Sequence, residues 1–132
     1  MKITDVKMEK FSIELTEPFK VAFAEVSHTA SIIVKVETDE GYVGYGEAAP
    51  FAPVTGETTE GCLEVLQMFR QGLIGMNPLD IEKAHAMMDG LVHGNGSAKC
   101  AIDIALYDLK GKVMNQPLYR VLGGYQSEVQ ND

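Results

Sequence analysis

The sequence predicts an α+β domain: a three-stranded antiparallel meander followed by a bundle of three to four helices. Apolar residues alternate with a period of two in short stretches between residues 2 and 47 and recur every three or four residues after residue 58. Strands that precede helices in this order indicate helices packed on one face of a small sheet. A chain of 132 residues with 45% hydrophobic content is large enough for one core.

Composition excludes several classes of partner. The net charge of −8 argues against binding to nucleic acid and to anionic membranes. No apolar run follows a basic start, and none approaches the roughly 18 residues of a membrane span, so we expect a cytoplasmic protein. Cys62 and Cys100 both fall on helical apolar stripes, which predicts two buried free thiols.

The first predicted strand covers residues 2–15, and its apolar side chains change face. Val6 and Met8 point to one face, whereas Phe11, Ile13 and Leu15 point to the other. A period of two cannot hold across this change, so we predict a β-bulge near Glu9-Lys10. Glu17-Pro18 is expected to end the strand.

Two further strands complete the predicted meander. They cover Ser31–Glu37 and Tyr42–Glu47 and are joined by a tight turn at Asp39-Glu40-Gly41. Gly44 and Gly46 leave one face of the third strand bare, which favours the close approach of another backbone.

Two segments without periodicity are the best candidates for function. They are residues 19–29, FKVAFAEVSHT, and residues 48–58, AAPFAPVTGET. Long loops with apolar content are often lids or binding loops, although the aromatic side chains can also pack on their own domain. The candidate substrate-specificity positions in these two loops are Phe19, Phe23, Ala24, Glu25, Phe51, Val54 and Thr55.

Three helices are predicted from spacing and capping residues. Thr58 or Thr59 caps the first, and Asn77-Pro78 begins the second. Ser97 caps the third, which ends at Gln116 because the residue before a proline is pushed out of the helical region. The predicted buried stripes are Cys62, Val65, Leu66, Phe69 and Leu73; Ile81, Ala84, Met88 and Leu91; and Ala98, Ala101, Ile102, Ala105, Leu106 and Leu109. Pro117 starts a short fourth helix that Gly123-Gly124 closes.

No pattern predicts a catalytic residue or a metal ligand in this chain. His28, His85 and His93 lack a second ligand at helical or turn spacing, and no serine has a nucleophile-elbow setting. Gly41-x-x-Gly44-x-Gly46 is not followed by a helix, as a phosphate-binding loop would be. Glu47 opens the second loop and is expected either to hold its shape or to contact substrate. Lys99 and Lys110 are expected to face solvent.

Residues 97–112, SAKCAIDIALYDLKGK, and residues 116–124, QPLYRVLGG, resemble the enolase superfamily, and within it the muconate lactonizing enzyme subgroup. The resemblance implies an enolase N-terminal-domain-like cap that precedes a (β/α) barrel. It implies that the barrel, absent from this chain, carries the catalytic lysines and the magnesium ligands. Residues 1–124 are then the capping domain, and residues 125–132 begin the connection to the barrel.

Residues 47–50, EAAP, and residues 55–58, TGET, are similar to those of the dipeptide epimerases. The resemblance implies a magnesium-dependent isomerase, a racemase or epimerase, that abstracts a proton next to a carboxylate with barrel residues. The two loops would fold over the barrel mouth. This chain alone should be inactive. Its expected partners are a dipeptide or amino acid derivative, its own barrel and a homo-oligomer, with neither nucleic acid nor membrane.

One position departs from the resembled pattern. L-Ala-Glu epimerases with this loop tend to carry a basic residue where this chain has Ala24. Ala24-Glu25 offers no cation, so we expect a dipeptide without a second carboxylate, either apolar or cationic. The alternatives are the cap of a cycloisomerase, of an o-succinylbenzoate synthase or of an N-acylamino acid racemase, and a non-catalytic stand-alone cap domain.

Overall fold

A computed structural model describes residues 1–21 and 24–131 and confirms the α+β fold class. Three strands form one antiparallel sheet in the order β1-β2-β3. Their bounds are Ile3–Val21 for β1, Ala24–Thr38 for β2 and Val43–Ala48 for β3.

Five helices follow the strands. Three are long and two are single turns: α1 is Ala52–Thr55, α2 is Thr59–Leu73, α3 is Ile81–Leu91, α4 is Gly96–Val113 and α5 is Leu118–Val121. In the described part of the chain, none of these helices is long and apolar enough to cross a bilayer.

The core lies between one face of the sheet and the long helices. Ile32, Val34 and Val36 of β2 are fully buried, and the predicted stripes of α2 and α4 are buried with them. Two predictions about burial are wrong. Leu91, in the last turn of α3, is 46% exposed, and Cys100 lies on the open side of α4, whereas Cys62 is buried as predicted.

The bare face of β3 is where α4 lies against the sheet, as the two glycines predicted. A Cβ atom at Gly46 would be 1.9 Å from the carbonyl oxygen of Ala101, and one at Gly44 would be 2.2 Å from that of Ala105. Only glycine at these positions permits the helix backbone to come this close. Ala101 and Ala105 complete the fit from the helix side.

The free edge of β3 is capped by α4. The Tyr45 amide donates to Asp108 Oδ2 at 2.9 Å, and Lys112 Nζ donates to the Val43 carbonyl at 2.7 Å. Side chains therefore satisfy backbone groups that would otherwise be open to pairing with another strand.

The bulge predicted near Glu9-Lys10 is wrong. The β1–β2 ladder is continuous from Asp5 to Glu14, and Lys10 pairs with Ile32. Ile32 also pairs with Ala48, the last residue of β3. The apolar residues of β1 therefore change face at the rung where β3 ends, and the pairing of β1 with β2 continues unbroken across that rung.

The register of β1 is instead irregular between Ile3 and Asp5 and between Glu14 and Phe19. Glu14 pairs with His28 and Phe19 with Val26, so four residues of β1 stand opposite one residue of β2. Pro18 falls in this bulge, where a missing amide hydrogen costs no ladder bond. Pro18 therefore interrupts the register but does not end the strand as predicted.

The prediction of an irregular loop at residues 19–29 is wrong as well. Residues 19–21 pair with residues 24–26, down to the pair Val21 and Ala24. The sequence of this segment shows no apolar alternation. Its strand conformation comes from backbone pairing between residues 19–21 and 24–26. We name residues 11–21 and 24–31 the hairpin extension, since they continue beyond β3. Phe23 lies outside the described residues.

Two predicted helix starts differ from the structure. Asn77 closes a turn, because its Oδ1 accepts from the Leu79 amide at 2.9 Å, and α3 begins at Ile81. Asn95 occupies the N-cap position of α4 in a left-handed conformation, so Ser97 lies in the first turn. Thr58 caps α2 as predicted, accepting from the Gly61 amide at 3.0 Å.

Charged side chains join α3 to α4. Lys99 Nζ lies 2.7 Å from Asp89 Oδ1 and 2.9 Å from the Val92 carbonyl, and its side chain is only 16% exposed, contrary to our expectation. The same lysine holds the pKa of Asp89 below its ordinary value by hydrogen bonding and charge. His85 Nε2 lies 2.6 Å from Asp103 Oδ1 and serves the same junction.

Candidate functional site

Both candidate segments leave the sheet at the same rung. Lys10, Ile32 and Ala48 pair across the three strands, the hairpin extension begins after the first two, and residues 49–57 follow the third. Lys10 Nζ contacts Glu60 Oε1 at 2.7 Å and so ties the base of the hairpin to the first turn of α2. The fold therefore brings the two predicted segments to one end of the molecule.

The hairpin extension carries apolar side chains beyond the helix layer. Phe11 and Leu15 are half-buried and Ile13 is 55% exposed. Among the predicted site residues, Phe19, Ala24 and Glu25 belong to the paired strands of the extension by their backbone positions. A strand pair presents its side chains at a fixed spacing, which a loop of this length does not.

Residues 49–57 are folded around one helical turn, which the sequence did not predict. The Phe51 carbonyl accepts from the amides of Val54 at 3.0 Å and Thr55 at 2.9 Å, and from Thr55 Oγ1 at 3.2 Å. Gly56 ends the turn with φ of +76°, which glycine adopts without strain. We name residues 49–57 the capping turn.

The capping turn presents apolar surface to the outside. Val54 is 63% exposed, Thr55 is exposed and Phe51 is half-buried. Pro50 and Ala48 are buried at its start. Phe51 is thus partly covered by its own domain, whereas Val54 is open to contact a ligand or another part of the protein.

A carboxylate fixes the other end of the capping turn. Glu57 Oε2 accepts from the Ser97 amide at 3.0 Å, and Glu57 Oε1 accepts from Ser97 Oγ at 3.1 Å. Glu47 was expected either to hold the shape of this segment or to contact substrate. Its side chain is exposed, and it is Glu57 that hydrogen-bonds the segment to α4. Local sequence gave no signal for this contact, because forty positions separate the two residues.

The charge of Glu57 is also felt by a buried thiol. Burial raises the pKa of Cys62 to about 11, and the negative charge of Glu57 adds to the shift. Cys62 is therefore a protonated thiol that belongs to the core, and it is not an activated nucleophile.

The described residues form no cluster of metal-ligating side chains. Over 1–21 and 24–131, no three histidine, cysteine or carboxylate side chains are grouped so that they could hold a metal ion. A magnesium site therefore does not fit the part of the chain that the structure describes.

Comparison with known families assigns the domain. The model of the mandelate racemase / muconate lactonizing enzyme N-terminal domain matches residues 3–123. The chain belongs to this family. This places it in the enolase superfamily, as its motifs around α4 suggested.

Relatives of this N-terminal domain include epimerases and racemases. A hydrophobic dipeptide epimerase of Enterococcus faecalis is 46% identical over the whole chain, and an N-succinyl-L-Arg/Lys racemase of Bacillus cereus is 45% identical over 97% of it. The domain spans 37% and 35% of their lengths.

Solved structures show the same N-terminal domain in larger proteins. The Enterococcus faecalis dipeptide epimerase, complexed with Mg and L-Leu-L-Tyr, superposes with a TM-score of 0.97 at 46% identity over 100% of this chain and 37% of that one. A dipeptide epimerase of Cytophaga hutchinsonii, complexed with Mg and D-Ala-L-Val, gives 0.93 at 39% identity, covering 97% and 35%.

Proposed function

We propose that this chain is the capping and specificity domain, residues 1–124, of a dipeptide epimerase, with residues 125–132 leading to a catalytic (β/α) barrel. The observation that carries the proposal is the alignment of the whole chain with a dipeptide epimerase that binds L-Leu-L-Tyr, at a TM-score of 0.97. The shared rung from which the hairpin extension and the capping turn depart supports a covering role for that end.

The proposed reaction is proton abstraction next to a carboxylate, followed by return of a proton to the opposite face. In this proposal its acids, bases and magnesium ligands lie in the barrel, as the family resemblance implies. No three His, Cys, Asp or Glu side chains among the described residues are grouped so that they could hold a metal ion. Magnesium in the parent enzyme would supply electrostatic stabilisation of developing negative charge.

The contribution of this chain is to exclude water and to contact the far end of the substrate. Val54 and the apolar side chains of the hairpin extension would replace water over the reacting carbon. Removal of water strengthens the electrostatic interactions beneath such a cover. The preferred substrate is then a dipeptide without a second carboxylate, and an apolar one is favoured by the relative named for hydrophobic dipeptides.

A racemase of N-succinyl amino acids is the second candidate, because that relative is as similar as the dipeptide epimerase, at 45% against 46% identity. The two candidates share the α-proton chemistry and differ in the group attached to the substrate nitrogen. They are therefore separated by substrate choice alone.

The test is deuterium incorporation at the α-carbon in D₂O, with the full-length protein that contains this domain and Mg²⁺. We expect exchange into L-Leu-L-Tyr, and little into L-Ala-L-Glu. Exchange only into N-succinyl-L-arginine would replace the dipeptide assignment with the racemase, and no exchange into any of the three would overturn both. A gene that stops at codon 132 would support a stand-alone, non-catalytic cap.

A matched pair of variants tests the covering role. Val54→Asp places a charge at the proposed cover and should lower kcat/KM for L-Leu-L-Tyr by about 10-fold or more, as a mismatched apolar contact does. Ile74→Asp adds the same charge at a residue of similar size that is 42% exposed near the start of β1, and should leave kcat/KM within about 2-fold. Equal effects of the two variants would count against the cover.

A further inference from the structure

The Glu57 side chain joins the capping turn to α4. Glu57 stands between Gly56, which ends α1, and Thr58, which caps α2. Its two carboxylate oxygens accept from the amide and the hydroxyl of Ser97 in the first turn of α4, at 3.0 and 3.1 Å. Hydrogen bonds to an ionised acceptor are stronger than neutral ones, and a helix N-terminus favours negative charge.

The other hydrogen bonds of the capping turn are internal. The Phe51 carbonyl accepts from Val54 and Thr55, and the Glu57 amide donates to Thr55 Oγ1 at 3.4 Å. Such bonds give the turn its shape but leave its position relative to the sheet open. Position requires contacts to other elements.

Two contacts provide that position. Pro50 is buried at the start of the turn, and Glu57 binds Ser97 at its end. Ser97 belongs to α4, which is fixed on the sheet by the close contact between Ala101 and Gly46. The capping turn that carries Val54 is therefore held from two sides, by the buried Pro50 next to β3 and by Glu57 against α4.

We infer that Glu57 is a positioning residue for substrate discrimination. It aims Val54 and Thr55 at the far end of the substrate, and its loss should relax the choice among substrates more than it harms the reaction itself. The inference rests on the proposed function. A purely structural capping role would instead lower stability and affect all substrates equally.

The first measurement does not depend on activity. Amide hydrogen exchange at Val54, Thr55 and Gly56 should be about 10-fold faster in Glu57→Ala than in the natural full-length protein, because the turn opens more often when its end is free. Glu64→Gln removes an exposed carboxylate on α2 and serves as the control, with no expected change. Unchanged exchange in Glu57→Ala would overturn the positioning role.

The second measurement compares a dipeptide with a truncated substrate, N-acetyl-L-tyrosine, which lacks the far residue. Glu57→Ala should lower kcat/KM for L-Leu-L-Tyr by about 10- to 100-fold, a range typical of a displaced positioning element, and leave the truncated substrate within about 2-fold. Glu57→Gln retains one acceptor oxygen and should recover part of the loss. An equal loss for both substrates would overturn the proposal.

Two further variants guard against loss of folding. Ser97→Ala removes one of the two partners of Glu57 and should produce a smaller change in the same direction, in both exchange and substrate ratio. If Glu57→Ala does not fold, Ser97→Ala and Glu57→Gln decide the question. Absence of turnover in the natural protein would refute the proposed function, whereas the exchange data would still decide whether Glu57 holds the turn.

Discussion

Gly46→Ala should be among the most damaging single substitutions in the domain. The added Cβ would lie 1.9 Å from the carbonyl oxygen of Ala101, whereas ordinary contact begins at 3.4 Å. The backbone of α4 must therefore retreat by about 1.5 Å, the difference between these two distances. No rotamer change can relieve a contact with a backbone atom, so we expect a loss of about 3 kcal/mol, at the upper end of the cost of overpacking.

Urea unfolding followed by circular dichroism measures this loss. The control is Gly90→Ala in α3, where a Cβ meets nothing within 4 Å. That change should stabilise the domain by about 0.5–1 kcal/mol, because alanine is the better helix former. If Gly46→Ala unfolds at the same urea concentration as the natural sequence, the close helix–sheet contact cannot be present in solution.

Two further predictions concern titratable groups. The Arg70 guanidinium, whose Nε donates to Asp5 Oδ1 at 2.8 Å, holds the pKa of Asp5 below its ordinary value. Since the folded pKa is depressed, the contribution to stability is present above the unfolded pKa and is lost as pH falls through the folded one. Arg70→Gln should therefore flatten the acid dependence of the free energy of unfolding, and an unchanged slope would refute this. A thiol reagent should modify Cys100 in the folded protein and Cys62 only after unfolding, because Cys62 is buried and its pKa is about 11. Mass spectrometry of labelled peptides distinguishes the two sites. Rapid labelling of Cys62 in the folded protein would contradict the packing.

The sequence predicted what local spacing determines. The buried stripes of α2 and α4 could be predicted because each depends on spacing within a single helix. The close contact at Gly44 and Gly46 could be predicted because two glycines on one strand face leave room for a neighbouring backbone. The short helix after Pro117 followed from the fixed backbone of proline.

Features that leave no periodic pattern in the local sequence were missed. Residues 19–21 pair with residues 24–26, and residues 28 and 29 pair with residues 14 and 13. Backbone pairing therefore orders a segment whose own composition indicated a loop. The contact from Glu57 to Ser97 joins residues forty positions apart. The helical turn at residues 52–55 is too short for any periodicity to develop.

Beyond the rung of Lys10 and Ile32, the hairpin extension is a two-stranded arm that projects from the three-stranded sheet. From Ile32 to Ala24 the strand advances by about 26 Å at ~3.3 Å per residue. A rotation of about 10° at the base would carry the far end about 4.5 Å, more than the ~3.8 Å between successive Cα atoms of a peptide. The position of the far end is therefore sensitive to small changes at the base, where Lys10 Nζ contacts Glu60 Oε1 at 2.7 Å.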